Sequence, residues 1–233
     1  MELDNIIYPG FNKTLSELNA ISKIKKKSCE IVDLTEIEWV RDVLRHRVEE
    51  VGTYDIKFRK PTDEEIKSVS EIVGADINID ELKNNFHKNK RIIGITSGKG
   101  GVGKSTITSL LGIAFDELGK KVGIMDSDIW GYSVPKILGA KFPPIPFNER
   151  IFPSRINNLN VISMDYFVKQ DEAVIWGGPM LHKAIEQFLF EVLWHDIDVL
   201  LIDMPPGTGD VSISLSQFLK LSLIHISEPT RPS

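Results

Sequence analysis

The chain is poor in cysteine, in net charge and in long apolar runs. Its single cysteine, Cys29, excludes an internal disulfide framework and any complete intrachain cysteine metal site. No apolar stretch approaches the roughly 20 residues needed to span a bilayer. The opening Met1-Glu2-Leu3-Asp4 lacks the basic-then-apolar form of a signal peptide. These absences predict a cytoplasmic protein with no membrane partner. With 28 basic against 33 acidic residues, the net charge of −5 gives no bulk positive field, so no nucleic-acid partner is expected. The apolar share of 42% and charged share of 26% are ordinary for a globular protein, and 233 residues suffice for one or two domains.

What is present concentrates near residue 100. Gly98-Lys99-Gly100-Gly101-Val102-Gly103-Lys104-Ser105-Thr106 follows the apolar run Ile92-Ile93-Gly94-Ile95 and precedes a helical pattern from Ile107 to Leu118. Strand, glycine-rich loop and helix together form the setting of a phosphate-binding loop. Glycines let successive N–H groups curl toward one centre, and the helix N-terminus adds its positive dipole end. Lys104 can reach the outer phosphates of a nucleotide, and the Ser105 hydroxyl can ligate Mg²⁺.

From Arg91 the pattern alternates apolar strands (92–96, 121–125, 159–163, 199–202) with helices (104–118, 181–194, 211–219), as a parallel α/β sheet does. Pro143-Pro144-Ile145-Pro146 reads as a loop. Before it, strands at 30–34 and 54–58, a helix over 35–51 and a capping box at Thr62-Asp63-Glu64-Glu65 predict a smaller α+β unit. The basic run Lys23–Lys27 reads as a solvated face and 85–90 as a linker. The domains expected are therefore 1–88, a small α+β domain, and 89–220, an incomplete P-loop NTPase domain with a parallel sheet flanked by helices. The remainder, 221–233, resembles the peptide translated from a sequencing-library adaptor and reads as a non-native tail.

The second lysine of the loop, Lys99, makes the motif similar to the deviant Walker A of the MinD/ParA/nitrogenase-iron-protein group of ATPases. That resemblance implies a homodimer in which Lys99 reaches the partner's nucleotide, with the logic of an arginine finger; the alternative is a solvated loop lysine. Asp126-Ser127-Asp128 ends the second strand of the domain, where ligand groups of open α/β sheets collect. By the same resemblance Asp128 acts on the attacking water and Asp126 supports the Mg²⁺ shell; the alternative is two carboxylates capping a turn. Asp198–Asp203 has the form of Walker B, with Asp203 at the Mg²⁺ shell. Met204-Pro205-Pro206-Gly207-Thr208-Gly209-Asp210 then reads as a switch loop, with Pro206 and Gly207 beside the γ-phosphate.

Joined to Trp176-Gly177-Gly178-Pro179-Met180, Gln187 and Trp194, these motifs resemble the Mrp/ApbC/Nbp family of iron–sulfur cluster carrier ATPases over roughly residues 91–220. The resemblance implies a Mg²⁺-dependent ATPase that carries [4Fe–4S] clusters to apo client proteins, with ATP and Mg²⁺ as cofactors. Lys99, Lys104 and Asp128 would be catalytic, Gly98 to Thr106 with Pro206 and Gly207 would bind nucleotide, and Ser105, Asp126 and Asp203 would serve Mg²⁺. The chain departs from the family with Gly177 in place of arginine and D-S-D-I-W-G-Y in place of D-A-D-I-Y-G-P. It also lacks the C-x-x-C pair through which two family subunits hold a cluster, so no iron–sulfur ligand is expected here. Two other readings stay open: a MinD/ParA-like positioning ATPase with nucleotide-controlled membrane or DNA association, and a chain that is inert as sequenced.

Overall fold

The computed structural model describes residues 2–25, 28–88, 90–129, 131–167, 178–194, 197–207, 210–219 and 222–226. In chain order the first elements are β1 (Ile21–Lys25), β2 (Ser28–Val32), α1 (Glu38–Val51), β3 (Asp55–Arg59), α2 (Asp63–Val73) and α3 (Ile79–Asn85). There follow β4 (Arg91–Ser97), α4 (Lys104–Glu117), β5 (Val122–Asp126), α5 (Val134–Leu138), β6 (Ile145–Phe147), β7 (Arg150–Phe152) and β8 (Ser154–Ile156). The last are β9 (Leu159–Ser163), α6 (Gly178–Phe190), β10 (Val199–Asp203), α7 (Asp210–Phe218) and β11 (Ser222–Ile226). Two compact units result: Met1–Ile77 with Ile145–Phe152, and Asn78–Pro144 with Pro153–Ser233.

In the first unit β2 pairs antiparallel with β1 and parallel with β3. The parallel pair needs a crossover, which α1 supplies. That helix buries Val40, Leu44 and Val48, spaced four apart on one face. The capping box opens α2 as expected: Thr62 Oγ1 accepts from Glu65 N–H, and the Glu65 carboxylate accepts from Thr62 N–H. Gly74 ends the helix at φ 64°, the left-handed conformation glycine adopts without strain. Thr62→Ala is expected to lower the stability of this unit by about 1 kcal/mol, read as a lower urea midpoint.

Glu65 also receives both terminal nitrogens of Arg59, at 2.8 and 2.5 Å. These donors hold its carboxyl down to about 2 from an ordinary 4.5. The fold therefore favours the ionised form. Glu65's contribution is complete above pH 4.5 and is lost as pH falls toward 2. An acid titration of Glu65→Gln should accordingly lack that part of the wild-type decline.

The second unit holds a six-stranded sheet in the order β11-β4-β10-β5-β9-β8, parallel except for β8 against β9. Every residue of β5 and β10 is buried, which is why these strands read as continuous apolar runs instead of alternating. Helix α4 lies close on the sheet. A Cβ at Gly112 would stand 2.6 Å from Ile124 Cδ1, so a side chain there would displace the end of Ile124. β10 sits between β4 and β5, so three carboxyl ends adjoin although their strands are distant in sequence. Ligands of open α/β sheets bind at such crevices.

Several expectations change. The loop at Pro143–Pro146 gives way at Ile145 to a two-stranded hairpin, β6 with β7, in which Ile145 and Phe147 are buried and Pro146 faces out. Its turn, Asn148-Glu149, has φ of 45° and 61°. Glutamate is not a usual residue for that conformation, so the hairpin signal is hidden. The basic run is partly strand: β1 carries Lys23 and Lys25, while residues 26 and 27 lie outside the described residues. The stretch read as a linker adjoins α3, whose Lys83 meets Glu186 of α6 at 2.6 Å, and the units part at Ile77, not near 88. Helix α6 ends at Phe190; Trp194 lies beyond it, its indole N–H donating to the Phe188 carbonyl. In the segment read as a foreign tail, 222–226 forms β11, parallel to β4 along one edge of the sheet. Backbone pairing along an edge is tolerant of sequence, so this strand position says little about which side chains belong there.

Candidate functional site

Strand β4 ends at Ser97, and residues 98–103 curl before α4 begins at Lys104. Gly101 and Gly103 adopt φ of 75° and 90°. These are left-handed values that a side chain would strain. A Cβ at Gly98, Gly100, Gly101 or Gly103 would meet no protein atom within 4 Å. Packing therefore does not demand glycine at 98 and 100, whereas a ligand lying against the backbone would. Lys99 and Thr106 are exposed and Val102 is half-buried. The Ser97 hydroxyl donates to the Lys99 carbonyl at 2.8 Å and so braces the start of the loop.

Asp203, at the end of β10, is the hub. Lys104 Nζ lies 2.7 Å from its Oδ1, Ser105 Oγ 2.5 Å from its Oδ2, and Thr108 Oγ1 3.1 Å from its Oδ1. Lys104 Nζ also stands 3.4 Å from Asp128 Oδ2. The residues expected to hold phosphate and Mg²⁺ are thus brought together, with Asp203 wholly buried and Lys104 only 6% exposed. Burial raises the Asp203 carboxyl above its ordinary range, against the lowering effect of Lys104, Ser105 and Thr108. Asp126, in register beside Asp203 on β5, is pushed up to about 7 by burial first and by the Asp203 charge second. Among the described residues the Lys104 ammonium meets two buried carboxylates, Asp203 and Asp128, and a third, Asp126, lies beside Asp203 on the adjoining strand.

The Asp128 loop is fastened to the same hub. Ser127 directs both its amide and its hydroxyl at the Asp203 carbonyl, at 2.9 and 2.8 Å. Gly131 N–H donates to Asp128 Oδ1 at 3.1 Å. The switch segment is tied to β4, with Met204 N–H donating to Ile95 and Gly207 N–H to Ser97. Gly207 takes φ 84°, and Pro206 is exposed beside it. Trp130, Trp176, Gly177, Thr208 and Gly209 lie outside the described residues.

Among the described residues no three His, Cys, Asp or Glu side chains form a metal cage. A metal here would take most of its ligands from water or substrate. The hard oxygens of Ser105 and Asp203 suit Mg²⁺, which binds through one or two protein groups plus phosphate and water. Cys29 is buried in β2, where burial raises its thiol, and it is a poor ligand. No helix among the described residues is long and apolar enough to cross a membrane.

Thr108 was missed in the sequence. It lies one turn after Lys104, so the i, i+4 spacing was a usable signal. The role of Ser127 in fastening the loop to Asp203 was missed as well, and an ordinary serine gives no such signal.

A family model described as ParA, NUBPL iron-transfer P-loop NTPase, matches residues 88–232. An iron–sulfur cluster carrier protein of Helicobacter pylori is 34% identical over 227 residues, covering 94% of this chain and 60% of that protein. One from Mycobacterium leprae is 46% identical over 129 residues, covering 55% of this chain and 34% of its own length. The chain thus spans less than two thirds of each. A nucleotide-binding protein from Archaeoglobus fulgidus, solved in complex with ADP, is 34% identical, with 60% of this chain and 55% of that one covered at a TM-score of 0.49.

Proposed function

Because the chain belongs to the NUBPL iron-transfer family of ParA-type P-loop NTPases, we propose that it binds and hydrolyses Mg²⁺-ATP as part of an iron–sulfur cluster carrier. The observation that carries this reading is the convergence of Lys104, Ser105 and Asp203 at the mouth of the glycine loop. On binding, the amides of Gly100–Ser105 and the Lys104 ammonium take the phosphates. Ser105 and Asp203 would hold Mg²⁺, which would supply charge neutralisation to the phosphoryl group. Lys104 exchanges its carboxylate partners, Asp203 and Asp128, for phosphate. Asp128, already beside Lys104, positions the attacking water. Lys99, on the exposed rim, acts across a homodimer.

The switch segment supports coupling to nucleotide state. The Gly207 amide is engaged by Ser97. Reaching a γ-phosphate requires releasing that bond, so ATP and ADP favour different positions of residues 204–207. The cargo is a [4Fe–4S] cluster delivered to apo clients, in keeping with the names of the relatives. Four thiolates hold such a cluster, and this chain offers only Cys29. The residues here therefore serve the nucleotide half of the task. Reconstitution with iron and sulfide should leave no cluster absorbance that Cys29→Ser removes.

Steady-state ATP turnover tests the proposal. Mg²⁺-dependent hydrolysis that Asp128→Asn lowers by about 10²–10⁴ supports it. Hydrolysis identical in wild type and Asp128→Asn would overturn it.

A further inference from the structure

Asp126 has four donors on its two oxygens. Oδ2 accepts from Ser133 N–H at 3.1 Å, Val134 N–H at 3.2 Å and Ser163 O–H at 3.2 Å; Oδ1 accepts from Asp128 N–H at 3.3 Å. A carboxylate has about four lone-pair sites, two on each oxygen. Oδ2 is fully occupied by protein donors, Oδ1 already holds the Asp128 amide, and the side chain is wholly buried. The carboxylate is therefore committed mainly to the protein, with at most one Oδ1 site left over.

The four donors share a geometry. Asp128, Ser133 and Val134 lie at the two ends of one loop, residues 127–134, and Ser163 ends the neighbouring strand β9. Asp126 therefore pinches the loop shut at its base and pins it to the sheet. Ser127 fastens the same base to the Asp203 carbonyl. The tip is held in turn: Gly131 N–H caps Asp128, and a Cβ at Gly131 would stand 3.2 Å from Asp128 Oδ2. The outcome of this closure is Asp128 Oδ2 held 3.4 Å from Lys104 Nζ.

We propose that Asp126 is a positioning residue: it closes loop 127–134, with Ser163 as its partner on β9, and so presents Asp128 to the reacting phosphate instead of serving the metal. The part that concerns catalysis rests on the ATPase reading; the loop closure does not.

Two readouts on the full chain keep these apart. The first is amide hydrogen exchange without nucleotide. Ser133 and Val134 should be protected in wild type and should exchange about tenfold faster or more in Ser163→Ala and in Asp126→Asn, which keeps one carbonyl acceptor. The second is turnover against Mg²⁺ concentration. Both variants should lose kcat at least several-fold while the Mg²⁺ giving half-maximal rate and the affinity for ATP stay as in wild type. Two results would overturn the proposal: unchanged exchange at Ser133 and Val134 in both variants, or a higher Mg²⁺ requirement in Asp126→Asn with full kcat at saturating metal. If the exchange result holds while wild type hydrolyses no ATP, the closure stands and the ATPase reading fails. Should Asp126→Asn not fold, Ser163→Ala alone decides, since it removes one hydroxyl at the rim of the network.

Discussion

Lys104→Ala is expected to eliminate Mg²⁺-ATP turnover and, in the same protein, to lower thermal stability. The two losses share one cause. The ammonium is paired with both Asp203 and Asp128, and Asp126 lies beside Asp203 on the adjoining strand. Removing one partner of a buried ion pair leaves uncompensated charge at about 3–5 kcal/mol, less whatever is recovered when a carboxylate takes up a proton. At about 2–4 °C per kcal/mol for a chain of this size, the melting temperature should fall visibly. Ser105→Ala is the companion that separates folding from binding. It deletes one hydroxyl and no charge, so it should melt near wild type yet demand far more Mg²⁺ for the same rate. Wild-type turnover in Lys104→Ala would contradict the assignment of this loop.

Lys99→Ala should behave in the opposite way, with normal stability, near-normal nucleotide affinity and a kcat lower by about 10³–10⁵, the range known for a cation supplied to a phosphoryl group. Its residue stands on the exposed rim of the loop, outside the buried hub. Action across a dimer makes a sharper demand. Lys99→Ala and Asp128→Asn should each be nearly inactive alone. In a mixed dimer one of the two sites regains both groups, so equimolar mixing should return about a quarter of wild-type activity. No recovery on mixing would mean that Lys99 acts within its own subunit or not at all.

How much of this was legible beforehand depended on whether the signal was local. The P-loop declares itself because glycine is needed at left-handed positions such as 101 and 103, and those residues are contiguous. The strand before Asp203 was equally open, since a strand buried on both faces must read as Val199-Leu200-Leu201-Ile202 before its carboxylate. The capping box at Thr62 and Glu65 is a four-residue device and appeared where expected. What could not be read was pairing across the sheet. Nothing near Asp126 in sequence announces that Ser163 will lie beneath it, and a lone aspartate at a strand end fits a metal role as well as a structural one. The hairpin at 145–152 was obscured because Pro146 reads as a breaker unless its strand is known to be an edge. The Asn78 boundary was obscured because a short polar helix and a linker share a composition.

The most direct test of the central claim is a ¹H–¹⁵N spectrum of the isotopically labelled chain during titration with Mg²⁺-ATP. A polyphosphate held by main-chain amides must shift the signals of Gly100, Gly101, Val102, Gly103, Lys104 and Ser105 together and saturably, with Gly98 and Gly207 following. If those amides stay in place while ATP is in excess, the loop is not a nucleotide site and the account built on it is wrong.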